Sequence, residues 1–161
     1  MIYALLLICF GVGILQYVRR VTPTTRSGTV GAWLYIAMGA VSVTTATIFP
    51  QDAWGTPPTF PGQMHMIIHG VISILSMGSM LLIGHWFHQA ELSSGSQTYS
   101  ILTVGVSILG AGYFMANMGS PIMGLAERIA GLIGFQWTLI LSLRISFASD
   151  SKPDTAQSVS H

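Results

Sequence analysis

Two histidines, His65 and His69, stand four residues apart in an otherwise apolar stretch of this 161-residue chain. On a helix that spacing puts both imidazoles on one face, about a turn apart. A carboxylate, Asp52, lies shortly before them in the segment IFPQDAWGTPPTFPGQMHMIIHG, beside Trp54, Pro57, Pro58 and Pro61. Asn117 closes a later apolar segment, and Glu127 and Arg128 open the last one. Imidazole nitrogens and carboxylate oxygens are common ligands of Zn²⁺, and three of them leave a fourth position open for water or substrate.

Three readings of these residues follow. In the first, Asp52, Trp54, His65, His69, Asn117, Glu127 and Arg128 line a polar pocket that binds a lipid headgroup or another small polar ligand. In the second, the chain is an intramembrane hydrolase. His65 and His69 then hold zinc with Asp52 or Glu127 as third ligand, or Asp52 orients a histidine that takes a proton from water or from Ser73. The general base of an HExxH motif is absent, because Met66 follows His65. The third reading is a small-solute transporter. It ranks last, because the mid-membrane positions carry few charges and show no internal repeat. The first reading is preferred, and no catalytic residue is assigned beyond the candidates Asp52, His65 and His69.

The elements that must position these side chains are membrane helices. Hydrophobic residues make up 51% of the chain and charged residues 7%, against about 25% charged in a soluble domain. That leaves too little polar surface for a water-exposed globule. A net charge of +1 with no basic patch excludes nucleic acid as a partner class. The lone Cys9 forms no internal disulfide, and the partner implied is the lipid bilayer. Hydropathy divides residues 1–148 into an all-α bundle of five spans, at about 1–18, 28–49, 63–87, 98–118 and 125–145, followed by a disordered polar tail at 149–161. Gly105, Gly110 and Gly112 in the fourth span, and Gly124, Gly131 and Gly134 around the fifth, are expected to allow close helix approach. Met64, Met66, Met77 and Met80 read as packing residues.

Arg19, Arg20 and Arg26 lie in the first loop, and Arg144 and Lys152 follow the last span. With five spans these positions share one side, which the positive-inside rule makes cytoplasmic. The hairpin at 51–62 and the turn at 119–124 then face outward. His85 and His88 fall at the inner end, beside Trp86, as interfacial residues.

The segment FPQDAWGTPPTFPGQMH resembles the hairpin pattern of the domain-of-unknown-function-998 family of bacterial and archaeal membrane proteins: Phe-Pro-x-Asp, then Pro-Thr, then Gly-x-x-His. GLAERIAGLIGFQW is similar to that family's last helix. The resemblance marks Phe49, Pro50, Asp52, Thr59, Gly62, His65 and Arg128 as family-type positions. It implies a six-helix bundle, which this chain matches without the first helix. It implies no established activity.

Overall fold

The computed structural model describes residues 2–22, 24–53 and 55–150, with side chains through residue 147. Five helices follow one another: α1 (Ile2–Val21), α2 (Arg26–Ile48), α3 (Phe60–Gln89), α4 (Ser96–Ala116) and α5 (Met123–Asp150). No strand occurs among the described residues. Each helix is long and apolar enough to cross a membrane, so the chain is a multi-pass, all-α membrane protein. The helix α5 continues through Asp150, so residues 149 and 150, expected in the tail, are helical; residues 151–161 lie outside the described residues.

Large apolar side chains face outward over much of the surface, among them Leu109, Ile74 and Phe147. Hydrocarbon solvates them as well as a protein core would, so burial alone cannot hold such a bundle together. Close packing and interhelical hydrogen bonds do so instead. Gly28 of α2 lies against the indole of Trp86 in α3, and a Cβ there would overlap the ring. Gly84 of α3 lies against Ser100 of α4 in the same way. Of the glycines expected to pack tightly, only Gly110 does so, against Ile133 of α5. Gly105, Gly112, Gly124 and Gly131 face open space, and Gly134 meets only the tip of Met80. Small residues permit an approach, but only those turned toward a neighbouring helix use it.

Polar groups inside the bundle pair across helices. Ser79 donates to the Gly31 carbonyl at 2.8 Å, joining α3 to α2. The hydroxyls of Tyr35 and Thr138, on α2 and α5, are 2.7 Å apart. The indole N–H of Trp137 on α5 donates to Ser100 on α4 at 3.0 Å. That of Trp86 donates to Thr22, just beyond α1, at 2.6 Å. Arg144 near the end of α5 donates from one guanidinium nitrogen to Ser93 and Ser96 and lies over the Tyr99 ring. Many other hydroxyls, such as Ser42 and Thr45, bond back to the carbonyl one turn earlier, which satisfies them without a partner helix.

Candidate metal centre at one rim of the bundle

The connection between α2 and α3 is built on side chains. Thr59 is the N-cap of α3, and its hydroxyl accepts from the Gly62 N–H at 3.2 Å. Pro61 follows in the first turn, where its missing N–H leaves no bond unmade. Asp52 folds back over this cap. One carboxylate oxygen accepts from the Thr59 N–H at 2.9 Å and the other from the Thr59 hydroxyl at 2.5 Å. Any Cβ at Gly62 would collide with that carboxylate, so glycine leaves it a seat above the helix end. The two bonds from Thr59, side chain first and then backbone, hold the Asp52 carboxyl below its ordinary pKa.

One turn into α3, the His65 Nδ1 lies 2.7 Å from the Phe49 carbonyl oxygen. A carbonyl only accepts, so Nδ1 carries the proton and Nε2 of the neutral ring keeps its lone pair. This bond ties the end of α2 to α3. It also fixes the imidazole in the manner of metal-ligating histidines, whose second nitrogen donates to a carbonyl or carboxylate. The His69 ring stacks on that of His65, with centroids 4.5 Å apart and planes 22° apart. Glu127 of α5 completes the group. One ligand atom from each of His65, His69 and Glu127 lies within 4.8 Å of the others, and all three residues are half-buried. A tetrahedral ion at ~2.0–2.1 Å from its ligands has donors ~3.4 Å apart, so to hold one the three atoms would draw closer by up to about 1.4 Å.

Among the described residues, no hydrogen bond or ion pair joins Asp52, Asn117 or Arg128 to this group. Asp52 is engaged by Thr59 and orients neither histidine. The Asn117 amide donates to the Tyr113 carbonyl of its own helix at 2.8 Å. Arg128 is exposed and forms no ion pair among the described residues. Ser73 is exposed and donates to the His69 carbonyl at 2.9 Å, as a helix-bound serine rather than an activated nucleophile. Trp54 lies outside the described residues. What the sequence reading missed is the Phe49 carbonyl. The only signal for it was the proline at position 50, which ends α2 and leaves the Phe49 carbonyl outside any helical ladder.

A family model for proteins of unknown function, DUF998, matches residues 1–144. The chain belongs to the DUF998 family. No curated protein and no solved structure matches it. Five of the positions that carried the DUF998 resemblance, Phe49, Asp52, Thr59, Gly62 and His65, form one unit of hydrogen bonds and close contact. The hairpin motif of this DUF998 chain is therefore a device that ends α2, starts α3 and aims one imidazole.

Proposed function

We propose that this chain binds a divalent transition-metal ion of the zinc type through His65, His69 and Glu127, at the outer face of a bacterial-type inner membrane. The observation that carries the reading is the meeting of three ligand-type side chains from two helices within 4.8 Å, with one imidazole oriented by a backbone carbonyl. Three protein ligands leave a coordination position open, the pattern of catalytic rather than structural zinc. An ion held there supplies Lewis-acid chemistry to a carbonyl or phosphoryl oxygen. His65 and His69 lie about 8 and 14 Å along α3 from its first residue. That helix is about 45 Å long, against hydrocarbon about 30 Å thick, so the group sits where headgroups meet acyl chains. The substrate class that reaches such a site is a lipid ester or amide. A headgroup oxygen is the natural occupant of the open position, which joins the headgroup-binding and hydrolase readings in one site. The positive-inside rule supports the sidedness: Arg19, Arg20, Arg26 and Arg144 gather at the opposite end, so the hairpin 51–62 is outside and the loop 19–27 and the tail are cytoplasmic.

The test is elemental analysis of the full chain, purified without chelators and supplied with micromolar zinc. About one zinc per chain is expected, falling at least tenfold in His65→Ala, His69→Ala and Glu127→Gln. Asp52→Asn should keep its zinc. A wild-type chain without zinc, or one whose zinc survives the loss of both histidines, overturns the reading. Release of fatty acid or lysolipid from vesicles by the zinc-loaded chain, absent in Glu127→Gln, tests the hydrolytic step.

A further inference from the structure

At the other end of the bundle a groove of about 470 Å³ runs between α1 and α5. Its walls are apolar, from Phe10, Ile14, Tyr17 and Ile145, and Gln16 and Arg20 stand among them toward the α1 terminus. Arg20 is exposed and makes no ion pair among the described residues. Its neighbours in that end of the molecule, Arg19 and Arg26, add to the charge without lining the groove.

We infer that this groove is a binding site for one anionic phospholipid. The acyl chain lies along Phe10, Ile14 and Ile145, and the phosphate meets the Arg20 guanidinium, with the Gln16 amide as a second donor. The volume falls within the range of specific small-molecule sites, ~300–1,000 Å³. Any lipid chain can wet an apolar groove; what selects the anionic class is the exposed guanidinium, which has no ion-pair partner among the described residues. A guanidinium offers a phosphate two parallel donors, and basic pockets between helices recognise anionic headgroups in this way. The site is independent of the metal centre: it shares none of its residues and lies toward the opposite ends of the helices.

The experiment is native mass spectrometry of the full chain, delipidated in mild detergent and given equal amounts of phosphatidylglycerol and phosphatidylcholine with identical chains. One bound lipid is expected, with phosphatidylglycerol preferred about fivefold, the effect of one basic residue near the surface. Arg20→Gln should bring the ratio close to one, while Arg26→Gln leaves it unchanged. Gly13 also lines the groove, and a Cβ there meets nothing within 4 Å. Gly13→Leu should therefore fold normally and lose both lipids. The inference is overturned by equal retention of the two lipids in the wild type, by a preference that survives Arg20→Gln or falls equally in Arg26→Gln, by lipid retention in Gly13→Leu, or by a dimer that forms in place of the lipid adduct.

Discussion

At the scale of single residues, Asp52 is the instructive case. As the only acid in the hairpin, and the nearest to the histidines in sequence, it was the natural partner for them. The structure gives its two oxygens to Thr59 instead, because that threonine presents a backbone N–H and a hydroxyl side by side at the start of α3. Glu127, 58 residues beyond His69 in the chain, is the carboxylate that meets the imidazoles. The shared face of His65 and His69 was legible from their spacing. The third member was legible only as one of two alternatives, Asp52 or Glu127, since the choice depends on how α5 packs against α3, and spacing along one helix does not encode that. The cap leads to a prediction about pH. The folded state favours ionised Asp52, so its contribution is present in full above the ordinary carboxylate pKa of about 3.9 and is lost as pH falls from there toward the lower folded value. Melting curves of the detergent-solubilised protein should show Asp52→Asn less stable than wild type at pH 7, with the gap closing below about pH 4. A gap that persists at pH 3 would mean that the amide disturbs the hairpin for a reason unrelated to charge.

At the scale of elements, apolar runs and their interruptions located all five helices, since a span must be long and nearly free of charge. Prolines and polar clusters marked the joints. The contact faces were harder to read. Gly28 and Gly84 do the work assigned to Gly105 and Gly112, because α2, α3 and α4 turn different sides to one another than glycine content alone suggests. Helix α3 also ends in a way composition did not announce. Glu91 adopts a left-handed conformation, with φ of 55°, while its N–H bonds to the His88 carbonyl and the Leu92 N–H to that of Phe87. This is the Schellman arrangement, in which glycine is the usual occupant of the left-handed position. A side chain there costs roughly 1–2 kcal/mol. Glu91→Gly should therefore stabilise the bundle by about 1 kcal/mol, less whatever the freer unfolded chain takes back, and raise the thermal midpoint by a few degrees. Glu91→Ala, which keeps the Cβ, should give no such gain. Equal midpoints for Glu91→Gly and Glu91→Ala would show that the left-handed turn is not strained.

At the scale of the whole molecule, the two proposed sites divide along the membrane normal. Histidine, glutamate and the capped hairpin occupy one rim; the exposed Arg20 and the serine-bound Arg144 belong to the other. That division was visible in the sequence as an asymmetry of arginines, which is why orientation can be argued at all. It also makes sidedness the property on which both assignments of leaflet depend. The chain offers a direct measurement, since Cys9 is its only cysteine. In a Cys9→Ser background, Ala53→Cys places a thiol in the exposed hairpin and Ser94→Cys places one in the exposed turn between α3 and α4. In intact cells a membrane-impermeant maleimide should label Ala53→Cys and spare Ser94→Cys until the cells are lysed. The opposite pattern would leave the geometry of His65, His69 and Glu127 untouched but turn it to the cytoplasm. Lipid substrates and zinc would then be drawn from the inner leaflet and the cell interior, and the groove beside Arg20 would open on the outer leaflet. Because a five-span bundle has only two orientations, labelling of one thiol and protection of the other decides between them.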